Sequence, residues 1–198
     1  SFIIVLLGII DDINDLRASV QLIGQIIAAS IIVFYGGIVL NEISAFGLVF
    51  HFGWLSQLVT ILFIVGCINI INFTDGLDGL SGGVTSIFYL TTGIICFYQG
   101  RIGTLEITLT FIMLGATLGF LCHNFYPAKI FAGCCSQFMG FIIAVISLLG
   151  FKGTALTSLF VPIIILGLPI IDTLFAIIRR TLKGKPIFSA DKQHIHHQ

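Results

Sequence analysis

The sequence predicts an all-α, polytopic membrane protein, and three observations carry that prediction. Hydrophobic residues fill 57% of the 198 positions and charged residues only 9%, against about 25% charged in a soluble domain. Mean hydropathy is +1.12. Apolar runs of about 18 residues or more, long enough to cross a bilayer, recur along the chain. Such a composition cannot cover a surface that faces water on all sides. Net charge is zero, so the charge balance does not point to nucleic acid. Cys67, Cys96, Cys122, Cys134 and Cys135 lie mostly inside apolar runs. They lack the spacing of a metal site or disulfide framework and read as small core residues.

The opening "SFIIVLLGII" has no basic leader and reads as the latter half of a spanning helix, Phe2–Ile10. About six full spans follow: Val20–Leu40, Trp54–Ile71, Leu80–Tyr98, Thr104–Leu121, Ile130–Gly150 and Leu156–Ile178. The chain stops at "HIHHQ" without a helix end or tail. Residues 1–198 are therefore expected to form a single integral-membrane domain, truncated at both ends. No repeat or soluble-domain linker interrupts the pattern.

The connections then alternate between two sides. One side holds "DDINDLRAS", "NFTDGLDG", "CHNFYPAK" and the tail from Arg179; the other holds "NEISAFGLVFHFG", "QGRIG" and "FKGT". Seven of the nine Lys and Arg residues fall on the first side: Arg17, Lys129, Arg179, Arg180, Lys183, Lys185 and Lys192. Only Arg101 and Lys152 fall on the second, so the first side is expected to be cytoplasmic in a plasma membrane. Glu42 and Glu106 alone among the acids belong to the second side. Side chains able to do chemistry thus gather on the cytoplasmic face.

Three constellations stand there. Asp11, Asp12 and Asp15 crowd the mouth of the first helix. Adjacent carboxylates near lipid repel unless a cation neutralises them, and Mg²⁺ takes hard oxygen ligands that it shares with substrate phosphates. A solvated helix end is the plain alternative. In "NIINFTDGLDGLSGG", Asn69, Asn72 and Asp75 recur every three residues, a helical turn apart. Gly76 and Gly79 let the backbone bend there, and Asp78 adds a carboxylate. Irregular polar backbone at this depth needs a protein or water-filled surround; an ordinary turn-rich loop is the alternative. Last, "DKQHIHHQ" follows "RRTLKGKP" and presents His194, His196 and His197. These with Arg179 and Arg180 could grip a diphosphate, bind a zinc-like metal, or anchor the tail to anionic lipid. Asp172 lies seven residues before Arg179, about 10 Å into the last span, as a functional or packing acid. His51 and His123 receive no role.

Carboxylates suited to Mg²⁺, a glycine-rich bend and a His/Arg/Lys tail together describe a site for a phosphate-rich substrate beside lipid. A membrane lipid is the natural second reactant. A transporter would need paired broken helices and ionisable groups at mid-span, and only Asp172 comes near that.

"DDIND", "NIINFTDGLDGLSGG", "PAKIF", "PIIILGLPIIDTLFAIIRR" and "HIHH", in this order along essentially the whole chain, resemble the polyprenyl-phosphate N-acetylhexosamine-1-phosphate transferases. That family includes the MraY translocases and the WecA and TagO enzymes. "ADKQHIHH" is most similar to the TagO/WecA branch. The resemblance implies transfer of N-acetylglucosamine-1-phosphate from UDP-N-acetylglucosamine to undecaprenyl phosphate with release of UMP, which begins teichoic acid or a related cell-wall glycan. It implies Mg²⁺, with Mn²⁺ as an alternative, and leaves a homodimer open. By the same resemblance Asp11, Asp12, Asp75 and Asp78 are catalytic, and Asp12, Asn72 and Asp75 hold the metal. Asn69, Arg179, Arg180, His194, His196 and His197 bind substrate. One departure stands out. The family carries Gly-Asp-x-Gly-Ser after "KIF", whereas "KIFAGCCSQFMGF" places Cys134 where the metal-binding Asp is expected. Sulfur is a poor ligand for Mg²⁺. A catalytically impaired member of the family is accordingly the alternative expectation.

Overall fold

A computed structural model describes residues 2–14, 16–45 and 48–151. The last expected span, Asp172, Arg179, Arg180 and the three tail histidines lie outside the described residues, as does Asp15. Six helices account for most of what is described: α1 (Phe2–Asn14), α2 (Ala18–Phe34), α3 (Ser56–Thr74), α4 (Leu80–Tyr98), α5 (Leu105–Asn124) and α6 (Cys134–Phe151). By length and composition, Gly53–Thr74, Leu80–Tyr98 and Leu105–Asn124 can cross a membrane; Ala18–Phe34 and Cys134–Gly150 are shorter apolar helices. The polytopic helical architecture read from composition is the one observed.

Helix ends follow local chemistry. Helix α2 stops at Phe34, short of the expected Leu40, because Gly36 and Gly37 follow and Gly37 adopts φ +60°, which glycine takes without penalty. At the start of α5 the Thr104 hydroxyl accepts from the Ile107 amide at 3.5 Å, and Glu106 sits in the first turn, where the helix dipole favours an acid. Helix α6 begins at Cys134 rather than near Ile130, because Gly133 turns the chain with φ +48°.

The long connection after α2 is more ordered than a plain loop. Strands β1 (Glu42–Ala45) and β2 (Leu48–His51) pair antiparallel, with Glu42 opposite His51 and Ala45 opposite Leu48. Ile43, Val49 and Phe50 are residue types that favour extended backbone over helix. An exposed ion pair, His51 Nδ1 to Glu42 Oε2 at 3.0 Å, closes the open end of the hairpin.

Helix α6 is the hub of the bundle. It packs on α1, α3, α4 and α5, and Phe141, Ile143, Ala144, Ile146 and Leu148 are almost wholly buried. A helix apolar on every side is one surrounded by others. Small residues set its closest approaches, since lipid supplies no hydrophobic drive between helices and packing must. A Cβ on Gly140 would lie 2.7 Å from the Cys67 carbonyl oxygen of α3, and Gly8 of α1 lies directly against the Cys134 side chain. Outward positions are apolar, among them Leu58, Leu62, Ile87, Leu90, Ile94, Phe111 and Ile112, whereas Gln25, Thr60, Thr85, Glu106, Thr110 and Gln137 are buried. An apolar outer surface of this kind is what a bilayer selects.

The helices run alternately up and down. One end of the bundle therefore collects the ends of α1, α3 and α5 and the starts of α2, α4 and α6. The opposite end holds the hairpin and the α4–α5 turn. There Arg101 donates to Glu106 at 2.8 Å and to the Gly150 carbonyl at 3.2 Å, tying the turn to the last turn of α6.

Candidate active site

At the first end, the turn that opens α6 is the meeting point. A Cβ on Gly133 would stand 3.3 Å from both carboxylate oxygens of Asp12, so the α1 carboxylate and this exposed backbone are in near contact. From α3, Asp75 reaches the same turn and accepts a hydrogen bond from the Gly133 amide. Its Oδ1 also accepts from the Ser81 hydroxyl at 2.6 Å. Partial burial pushes the Asp75 carboxyl above its ordinary value, and the Ser81 hydroxyl and Gly133 amide oppose that shift. One turn earlier, Asn72 Oδ1 accepts from Ser136 Oγ at 2.8 Å. Asp12, Asn72 and Asp75, three elements of the sequence reading, thus gather around Gly133–Ser136.

Other expected residues serve different places. Asp11 Oδ1 accepts from the Leu16 amide at 2.9 Å and from Gln21 Nε2 at 2.7 Å, so it shapes the turn from α1 into α2. Asp78 Oδ2 accepts from the Ala128 amide at 3.0 Å. Beside it, the Gly79 amide donates to Asn124 Oδ1 at 3.0 Å, and Asn124 Nδ2 donates to the Ile130 carbonyl at 2.8 Å. Gly79 has φ +75° and opens α4. These bonds fasten the glycine-rich bend to the loop between α5 and α6, which holds the Gly133 turn in place. Asn69 points inward, donating to Gln25 Oε1 at 2.7 Å and to the Val65 carbonyl at 2.8 Å.

Among the described residues no group of three or more His, Cys, Asp or Glu side chains is arranged to hold a metal ion. Two carboxylates that converge on one backbone turn do match the habit of Mg²⁺, which takes one or two protein acids and completes its shell with water and substrate phosphate. Asp12 and Asp75 are the residues that would hold it. The Asn72 carbonyl oxygen already has Ser136 as a partner, and Cys134 contributes only a soft sulfur.

Several contributors were not singled out from sequence: Gly133 as the meeting point, Ser81, Ser136, Asn124, and the glutamines Gln21, Gln25 and Gln137. A signal existed for the glutamines. Gln21 and Gln25 stand four apart in an otherwise apolar helix, and Gln137 opens another, where a buried amide needs a stated partner.

Comparison with known proteins identifies the family. Residues 1–151 match the profile of Glycosyl transferase family 4. The chain is 44% identical over 202 residues to a probable undecaprenyl-phosphate N-acetylglucosaminyl 1-phosphate transferase of Bacillus subtilis, covering 100% of this chain and 56% of that protein. It is 34% identical to a decaprenyl-phosphate N-acetylglucosaminephosphotransferase of Mycobacterium tuberculosis, covering 97% and 53%. With a phospho-N-acetylmuramoyl-pentapeptide-transferase of Shouchella clausii it shares 34% identity, over 92% and 56%. The chain spans about half the length of the curated relatives it matches. Helical spans, a polar end where acids from α1 and α3 meet, and a profile match over three-quarters of its residues lead to one conclusion: the chain belongs to glycosyl transferase family 4.

Proposed function

We propose that this chain carries the reaction end of a transferase that moves N-acetylglucosamine-1-phosphate from UDP-N-acetylglucosamine to undecaprenyl phosphate. UMP leaves, and the product begins a cell-wall polymer such as teichoic acid. The observation that supports this reading most is the convergence of Asp12 and Asp75 on the Gly133 turn at the mouth of a lipid-facing bundle. Arg17 and Lys129 on the site's side support a cytoplasmic orientation.

In the reaction, an oxygen of the lipid phosphate attacks the phosphorus that carries the sugar. The bond from that phosphorus to the UMP oxygen breaks, and a diphosphate forms. Both partners are anions, so the protein's work is alignment and neutralisation of charge. Mg²⁺, when bound, would supply the positive charge that screens the two phosphates from each other. Asp12 and Asp75 would hold that charge at the α6 turn, and the exposed Gly133 backbone leaves room for a phosphate to approach. Ser81 fixes the Asp75 carboxylate, and Ser136 fixes the Asn72 amide. Arg179, Arg180, His194, His196 and His197 are proposed to grip the sugar nucleotide, and Asp78 to brace the wall of the pocket.

A second reading, a catalytically impaired relative, is favoured by one feature. Cys134 opens α6 beside Asp12, where the family resemblance calls for a carboxylate. UMP release from UDP-N-acetylglucosamine, measured with Mg²⁺ and with or without undecaprenyl phosphate, separates the readings. Lipid-dependent UMP release supports the transferase. Release only after Cys134→Asp supports the impaired relative, and release that ignores the lipid overturns both.

A further inference from the structure

A line of side-chain amides runs through the bundle and ends on Asp11. Asn69 Nδ2 of α3 donates to Gln25 Oε1 of α2 at 2.7 Å, and Gln25 Nε2 donates to Gln137 Oε1 of α6 at 3.3 Å. Gln137 Nε2 donates to Gln21 Oε1 at 3.4 Å, and Gln21 Nε2 donates to Asp11 Oδ1 at 2.7 Å. Along this line each amide donates to the next and the last donates to the carboxylate; Asn69 and Gln21 also donate to the Val65 and Leu16 carbonyls. Gln25 and Gln137 are 1% and 2% exposed, and Gln25 lies seven residues into α2, about 10 Å from its start.

Amides buried among apolar helices are costly unless each is paired, and a chain of them polarises in one direction. Leucines would fill the same volume with no such demand. What the amides achieve, and leucines would not, is a defined acceptor at the far end. We infer that Gln21, Gln25, Gln137 and Asn69 are positioning residues that fix the orientation of the Asp11 carboxylate. Asp11 is thereby held toward the Leu16 amide, while its neighbour Asp12 remains free to face Gly133. The consequence for catalysis rests on the transferase reading above, with Asp11 catalytic as the family resemblance implies: Asp11 would be set in place for the lipid phosphate, whereas the nucleotide end of the pocket would be unaffected.

Gln137→Leu breaks the line at its middle, away from Asp11. Two measurements follow on the membrane protein. Hydrogen exchange at the Leu16 amide, which donates to Asp11 at 2.9 Å, is expected to quicken about tenfold, and the KM for undecaprenyl phosphate to rise up to about tenfold, the upper worth of one neutral hydrogen bond. The KM for UDP-N-acetylglucosamine stays unchanged. A mere loss of stability would quicken exchange at amides throughout the bundle rather than at Leu16 alone, lower turnover and move neither KM. Unchanged exchange at Leu16 overturns the inference. Faster exchange with an unmoved lipid KM overturns its catalytic half. If the unsubstituted protein transfers nothing, the transferase reading fails, and the exchange result still decides whether the amides orient Asp11. Should Gln137→Leu not fold, Gln21→Leu at a half-buried site takes the same two measurements.

Discussion

Replacing Gly140 with alanine is the sharpest test of the packing that brings α6 against α3. The added Cβ would stand 2.7 Å from the Cys67 carbonyl oxygen, 2.8 Å from the Ile68 Cα and 3.2 Å from the Cys67 carbonyl carbon. All three are backbone atoms, so no side chain can rotate away and the helices must part. Overpacking of this kind costs about 1–3 kcal/mol. Gly66 provides the control on α3, since a Cβ there meets nothing within 4 Å; Gly66→Ala should be neutral or gain up to about 1 kcal/mol from helix propensity. The two substitutions, chemically identical, should therefore differ by about 1–4 kcal/mol. Reversible unfolding of the purified protein in mixed micelles measures the difference. Parting the helices also stretches the 2.8 Å bond between Ser136 and Asn72, so the site should loosen with the fold. Equal stability of Gly140→Ala and Gly66→Ala would refute the close crossing.

At the opposite end of the bundle, Arg101→Met should cost about 3 kcal/mol, because it strands the Glu106 carboxylate, whose side chain is 7% exposed. The double substitution Arg101→Met/Glu106→Gln should recover most of that loss in the same unfolding measurement, and strict additivity would count against a coupled pair. At the site, Ser81→Ala removes a hydroxyl that draws the Asp75 carboxyl downward while burial pushes it upward. The carboxyl therefore rises further above its ordinary value. If ionised Asp75 is required, activity is lost as pH falls through that value, so the acid limb of the pH–rate profile should move to higher pH. A limb that stays put or moves lower would show that Asp75 ionisation does not govern it.

Composition and the spacing of apolar runs were enough to establish the solvent this protein lives in and the order of its helices. Span and loop alternate at a period that only a bilayer requires, and the bounds of α4, Leu80–Tyr98, coincide with the apolar run that announced them. The sequence also marked Asp12, Asn72 and Asp75, because polar side chains in so apolar a chain stand out one by one. Local sequence could not reveal which of them meet. Asp12 and Asp75 are 63 positions apart in number, and what unites them is the Gly133 turn, delivered by a third helix whose register depends on Gly8 and Gly140 contacts. The split between the paired acids has the same origin: Asp11 and Asp12 look equivalent in sequence. Only packing brings Gln21 to Asp11 and Gly133 to Asp12. Hydrophobicity is a property of single residues and survives being read one position at a time. A shared site depends on distances between segments, and those exist only once the helices have closed on one another.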